Sequence, residues 1–329
     1  MTDAGTSGGP PLAVVVLAAG EGKRMRSKLH KVLHEAAGAP LLHHILAAVA
    51  PLRPERTVVV VGFSGETVRE RFEDAGVTFV TQDFSTGYGT GHALRESGKG
   101  LEGFSGNVLV LNGDGPLLRS ETLTALVALL GDERGMALLT CMTDDPTGLG
   151  RIVRGPDGEL DAIVEEKDAT PEQRGIREIN PGVYLFDRDV FRRAAGLSND
   201  NAAGEYYITD LPRGYLRDGL RVRTLLADER ELLGVNDRRQ LAAAERILRE
   251  RYVDAWLKAG VTMLDPASTY LDGTVELATD VVLEQGVALR GATRVGEGAR
   301  IGAYSVLTDA RVPAGAVVPP HTVRTGQDW

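Results

Sequence analysis

Apolar positions in the first half of the chain fall into short β-branched runs separated by stretches with helical spacing. Residues 12–17 (LAVVVL) form one such run and end at Ala18-Ala19-Gly20, which predicts a buried strand feeding a loop. Residues 40–50 space their apolar side chains as a helix does. Residues 57–61 (TVVVV) predict a second buried strand, residues 66–74 a helix and residues 77–81 a third strand. Residues 107–111 (NVLVL) predict a fourth and run into Asn112-Gly113-Asp114. Ser120 is expected to cap a helix over 121–130, and 136–142 predict a fifth strand. Strands alternating with helices imply a mostly parallel, Rossmann-like α/β sheet with helices on both faces. Ligands of such sheets sit beyond the C-terminal ends of the strands, where Gly20 and Asp114 both fall.

Residues 152–226 are less regular, with short strands expected at 162–165 and 182–186, and read as the rest of the same domain. Residues 238–259 (RRQLAAAERILRERYVDAWLKA) predict a helix stopped by Gly260. The period then changes. Leu271, Leu277, Leu283, Leu289, Val295, Ile301 and Leu307 are spaced six apart. Four residues after successive members of that series come Val275, Val281, Val287, Thr293, Ala299 and Ser305, with glycine dense between them. A period of six is the mark of a hexapeptide β-helix, in which each hexad forms one side of a coil and its aliphatic residue points inward. After Leu307 the phase slips to Val312 and Val318. About three coils are expected, in a short left-handed β-helix. The expected organisation is a tail over 1–10, an α/β domain over 11–237, a linker helix over 238–260 and the β-helix over 261–329.

Composition narrows the chemistry. The chain has 329 residues, and 37 Lys and Arg against 46 Asp and Glu give a net charge of −9. An acidic chain is a poor general binder of nucleic acid or of an anionic membrane. Cys141 is the single cysteine, which excludes an internal disulfide and a cysteine zinc site. Residues 12–19 are too short to span a bilayer, and the Gly/Pro-rich start carries no cationic leader, so a cytoplasmic protein is expected.

Candidate chemistry begins after the first strand, in LAAGEGKRM (17–25). Lys23, Arg24, Arg26, Lys28 and Lys31 place five cations within nine residues beside a glycine turn, an arrangement suited to a polyphosphate and equally open to a solvated face. The segment is neither a P-loop nor a dinucleotide fingerprint, since GxxxxGK[ST] is absent and GxGxxG fails at its third glycine. His30 and His34, four apart, and the adjacent His43 and His44 lack an evident third ligand and read as structural. No Ser-His or Cys-His arrangement offers a side-chain nucleophile.

The ordered segments LAAGEGKRM, SKLHKVLH, QDFSTGYGTGHAL, NGDGPLL, DDPTGLGRIV, IVEEKDAT, EINPGVYLFD, NAAGEYYITD and GVNDR resemble the pyrophosphorylase part of the bacterial bifunctional N-acetylglucosamine-1-phosphate uridyltransferase/glucosamine-1-phosphate acetyltransferases. The resemblance runs from about residue 13 into the coils. It implies Mg²⁺-dependent transfer of UMP from UTP to N-acetylglucosamine 1-phosphate, giving UDP-N-acetylglucosamine for cell-wall precursors. It further implies that Leu17, Ala18, Ala19 and Gly20 line the nucleotide and that Arg24 and Lys31 face its triphosphate. Gln82, Gly89 and Thr90 would recognise uracil, and Asn112, Gly113 and Asp114 would lie across the ribose and metal. Gly150, Glu165 and Asn180 would hold the sugar with Tyr206 and Thr209 nearby, and Asp114 and Asn236 would bind Mg²⁺. The family packs three β-helices side by side, so a homotrimer is expected.

The chain departs from the pattern at Pro181, where threonine is usual, at Gly115, where a larger residue is common, and in lacking the later coils that carry acetyl transfer. Acetyltransferase activity is therefore expected to be absent. Another sugar-1-phosphate nucleotidyltransferase, a non-catalytic regulatory paralogue and a hexapeptide acyltransferase are the competing readings.

Overall fold

The computed structural model describes residues 9–20, 22–62 and 65–328. Most of the expected N-terminal tail therefore lies outside the described residues. The chain forms two compact units. The first comprises residues 1–33 and 41–237; the second comprises 34–40 and 238–329.

The first unit is built on a ten-stranded sheet. Strands β1 (Leu12–Ala18), β2 (Arg56–Val61), β3 (Thr78–Thr81) and β4 (Asn107–Asn112) are parallel, in the order β3-β2-β1-β4. Alternate residues of these runs enter different cores. Val14, Val16, Val59, Val61, Leu109 and Leu111 pack with helices α1 (Leu41–Val49) and, further along, Ser120–Leu130. Ala13, Val15, Val58, Val60, Val108 and Val110 pack with Ala93, Leu94, Tyr184, Phe186 and Tyr215. Burial on both faces explains why these strands read as continuous β-branched runs.

Beyond β4 the sheet turns antiparallel. Strands β5 (Gly135–Met142), β6 (Gly150–Arg154), β7 (Leu160–Val164), β8 (Glu178–Asn180) and β9 (Val183–Phe186) continue it in the order β9-β5-β8-β6-β7. Strand β10 (Arg221–Leu226) runs parallel beside β5. The sheet is thus less parallel than its first half suggested. Ser120 does not cap its helix. It is the first helical residue, and its hydroxyl donates to the Ala48 carbonyl at 2.9 Å.

In the second unit the helix Arg238–Lys258 precedes a stack of short parallel strands. Pairing joins Leu271 to Leu289, Leu277 to Val295 and Leu283 to Ile301, so three hexads complete one coil. All seven aliphatic residues of the six-residue series are buried. So are Val275, Val281, Val287, Thr293, Ala299 and Ser305; the two buried hydroxyls are satisfied by backbone, Thr293 donating to the Arg290 carbonyl at 2.6 Å and Ser305 to the Pro319 carbonyl at 3.1 Å. The phase slip has a geometric origin: Val295 pairs with Val312 and Ile301 with Val318, one residue short of the preceding register. Corners tighten through left-handed residues, and the Tyr304 and His321 corners stack ring on ring at 5.5 Å. The two-stranded hairpin Glu35–Ala36 and Ala39–Pro40 also belongs to this unit, with the Ala37 N–H donating to the Glu245 carboxylate.

Candidate active site

A cleft opens at the C-terminal ends of β1, β3 and β4. Leu17, Ala18, Ala19 and Gly20 line it from β1, Gln82 from the end of β3, and Asn112, Gly113 and Asp114 from β4. Lys31, Gly89 and Thr90 complete the set of sequence-predicted residues found there. Gly113 permits the close approach of two strand ends: its N–H donates to the Leu17 carbonyl at 2.8 Å, and a Cβ would lie 3.0 Å from that oxygen. Arg24 is exposed on the turn Lys23–Met25 and is not among the lining residues.

The floor of the cleft is charged. Lys31 Nζ donates to Asp114 Oδ2 at 2.6 Å and to Asn236 Oδ1 at 3.1 Å. Asn236 reaches Asp114 because the returning loop is tied there, the Val235 N–H donating to the Asp114 carbonyl at 2.8 Å. One carboxylate and one amide oxygen thus converge on a single cation. That donor set fits a hard divalent ion, which prefers oxygen ligands and retains water or phosphate in its remaining positions. No group of three His, Cys, Asp or Glu poised for a metal exists among the described residues. A divalent ion here would depend on its substrate for further ligands.

The segment TGYGTGHA (86–93) wraps one wall, where helix α3 (Thr90–Ser97) follows helix α2 (Glu66–Arg71) in the chain. It is clamped to Tyr206 by two backbone bonds, Tyr206 N–H to Tyr88 O and Gly91 N–H to Tyr206 O, both 2.8 Å. Gly89 sits at φ +105°, and a Cβ there would lie 2.5 Å from the Tyr206 carbonyl, so both conformation and space require glycine. The Tyr206 side chain faces away to stack under the Arg95 guanidinium at 4.1 Å.

Gly150, Glu165, Asn180 and Thr209 form a second cluster. Asn180 pairs with Gly150 across β8 and β6. Thr209 Oγ1 donates to Glu165 Oε1 at 2.9 Å. Burial pushes the Glu165 carboxyl above its ordinary range, against the opposing Thr209 hydrogen bond, with Asp168, Glu205 and Asp210 adding to the rise. Asn180 is oriented at both ends despite the neighbouring Pro181: its Nδ2 donates to the Tyr184 hydroxyl at 2.6 Å, and its Oδ1 accepts from the Gly182 N–H. Tyr207, adjacent to Tyr206 in the chain, feels the charge of Glu165. Burial, then Asp168, Glu205 and Glu165, push its phenol up to about 12.

Sequence reasoning missed Val32, Phe84, Tyr88, Ala93 and Glu205 in the cleft wall. Tyr88 carried a signal as an exposed aromatic in a glycine-rich loop, whereas Phe84 is partly buried against the core that Ala13, Val15 and Val58 enter. The two aromatic rings meet at 5.5 Å.

A cleft at the ends of parallel strands, with a glycine loop, a lysine and paired oxygen donors at its floor, defines a nucleotidyltransferase-type site. Residues 14–210 match the model of the MobA-like NTP transferase domain. The chain is 47% identical over 95% of its length to the bifunctional protein GlmU of Thermus thermophilus, of which it spans 69%. It is also 47% identical to the bifunctional protein GlmU of Thermobifida fusca, spanning 66% of that protein. The chain belongs to the GlmU family of nucleotidyltransferases. A crystal structure of a Bacillus anthracis protein assigned as a glucose-1-phosphate thymidylyltransferase superposes with a TM-score of 0.57, 21% identity and coverage of 71% of this chain and 94% of that one, a likeness of fold.

Proposed function

We propose that the first unit transfers UMP from UTP to N-acetylglucosamine 1-phosphate with Mg²⁺, releasing pyrophosphate. The observation that carries this reading is the convergence of Asp114 Oδ2 and Asn236 Oδ1 on the Lys31 ammonium at the cleft floor. A phosphate oxygen of the sugar phosphate attacks the α-phosphorus of UTP; the bond from that phosphorus to the bridging oxygen breaks, and pyrophosphate departs with the electron pair. Both reactants are anions, so the work is alignment and charge neutralisation. The nucleophile is already ionised, which matches a site without a Ser-His or Cys-His pair among the described residues. Lys31 supplies fixed positive charge at the floor, and exposed Arg24 is within the cationic loop that would meet the outer phosphates. Bound Mg²⁺ would supply further neutralisation of the phosphate oxygens, held by Asp114 and Asn236. Glu165, Asn180, Gly150 and Thr209 would accept the sugar.

Pyrophosphate release across a panel of nucleoside triphosphates and sugar 1-phosphates tests the reading. UTP with N-acetylglucosamine 1-phosphate is expected to give the highest kcat/KM, and a preference for another pair would overturn it. We assign no acetyl transfer to the coils. Their sole histidine, His321, stacks on Tyr304, and acetyl-CoA consumption with glucosamine 1-phosphate would contradict this. Exposed Leu264, Tyr270, Val317 and Val323 on the coils support side-by-side association as a homotrimer. Light scattering at micromolar concentration is expected to give three times the 35.2 kDa chain mass, and a monomer would refute it. No helix of the described residues is long and apolar enough to cross a membrane.

A further inference from the structure

Gln82 is 3% exposed, and its side chain reaches the cleft from the end of β3. Both protons of its amide nitrogen are engaged. Nε2 donates to the Gly89 carbonyl at 3.2 Å and meets His92 Nδ1 at 3.1 Å. A carbonyl only accepts, so the Gly89 contact fixes which end of the amide is nitrogen. His92 Nδ1 must then be the acceptor, and its proton must sit on Nε2. That nitrogen meets Thr86 Oγ1 at 3.1 Å, and the Thr86 hydroxyl donates onward to the Asp83 carbonyl at 2.9 Å. The chain of bonds therefore has one consistent direction, from Gln82 through His92 and Thr86 to a backbone oxygen. Gln82 Oε1 accepts no hydrogen bond from any described residue, which leaves it as the acceptor presented to the cleft.

We propose that His92, through Thr86, is a positioning residue that locks the Gln82 amide with its oxygen toward the nucleotide base and so selects a base with an N3–H donor. The proposal rests on the uridyl-transfer reading above. Uracil presents a donor, N3–H, between two carbonyl acceptors. Cytosine presents an acceptor at N3 beside a donor amino group. A fixed carboxamide oxygen next to the Gly89 and Thr90 backbone N–H groups, which open α3 and lack intrahelical acceptors, matches the uracil edge. With cytosine the fixed oxygen would face a lone pair. A freely rotating glutamine could turn its NH₂ to that base and lose the discrimination. His92 is 3% exposed, and a Cβ on Gly87 would lie 2.5 Å from its ring, so the imidazole has little room to turn. Burial also holds its pKa below the ordinary value. Arg95 and Lys99 act in the same sense and Glu96 and Asp83 oppose, so the neutral acceptor form holds at neutral pH.

The test is the ratio of kcat/KM for UTP to that for CTP, with N-acetylglucosamine 1-phosphate and the full chain. In His92→Leu the ratio is expected to fall about tenfold, the size of one buried hydrogen bond's loss. His92→Asn, whose carboxamide oxygen can accept in place of Nδ1, should recover most of the ratio. Thr86 is exposed on its loop, so Thr86→Val keeps the measurement available if His92→Leu does not fold; its ratio should move in the same direction by more than about twofold. A loss of stability alone would lower both rates and leave the ratio alone. Ratios within about twofold of wild type in the folded variants overturn the proposal while the uridyl reading stands. A wild-type chain that uses CTP as readily as UTP overturns that reading, and this proposal with it.

Discussion

Asp114→Ala is expected to lower pyrophosphate release by at least about a thousandfold at saturating substrates, a loss of roughly 4 kcal/mol of transition-state stabilisation. The carboxylate holds Lys31 Nζ at 2.6 Å and shares that ammonium with Asn236. Its removal takes the single formal negative charge from the proposed Mg²⁺ donor set and leaves one amide oxygen, a weak ligand for a hard cation. It also frees Lys31 to pair with the substrate phosphates in the ground state, where added binding does not speed the reaction. The backbone bond from Val235 to the Asp114 carbonyl survives the substitution, so the loop carrying Asn236 should stay in place. Mn²⁺ titration followed by electron paramagnetic resonance, with the chain saturated in UTP, without sugar phosphate and against Mn²⁺–UTP alone, provides a readout independent of turnover. Weakened ion binding is expected, and full turnover at ordinary Mg²⁺ or unchanged Mn²⁺ affinity would refute the assignment.

The sequence carried the fold where periodicity was imposed by burial. Strands β1, β2 and β4 are covered on both faces and therefore stand out as unbroken aliphatic runs. The coils admit one inward aliphatic residue per side, so their period of six survives in every hexad up to Leu307, and even the slip to Val312 marks a real shortening of one coil. Strands β6 to β8 were harder to read because they are short and polar on part of one face. The antiparallel turn at Gly182 depends on a left-handed glycine lying against Asn112, a contact between distant segments. The same limit applies to the site. Gly20 and Asp114 could be located because each follows its own strand. Nothing near Asn236 in the chain points to Asp114; the two meet only because the loop after β10 returns to β4. The Tyr206 side chain looked available beside Thr209, yet an arginine on α3 captures its ring, and the adjacent Tyr207 takes the position near Glu165. His92 gave no signal beyond a histidine at the start of a helix, because its part in the network needs the loop folded back over Gln82.

Glu165→Gln is expected to move activity and stability in opposite directions. The carboxyl is largely buried, and its pKa is raised mainly by that burial, with Asp168, Glu205 and Asp210 adding to the rise. For an acid whose folded pKa lies above its ordinary 4.5, the favourable contribution to stability is present below that value. It is lost as pH rises through the folded pKa, since the native state must then carry an unwelcome charge. A neutral amide removes that cost and still accepts from Thr209 Oγ1 through its oxygen. The variant should therefore melt at a higher temperature than wild type at pH 8, and its advantage should shrink as the buffer is taken toward pH 4.5. Its activity should fall, because a carboxylate accepts from sugar hydroxyls at both oxygens, whereas the amide offers one acceptor and a mismatched donor. A fall of about a hundredfold in kcat/KM for the sugar phosphate is expected, near 2.7 kcal/mol, with the KM for UTP little changed. A lower melting temperature at pH 8 would show that the charge is stabilised by contacts other than Thr209. An equal rise in both KM values would place Glu165 outside the sugar-binding part of the cleft.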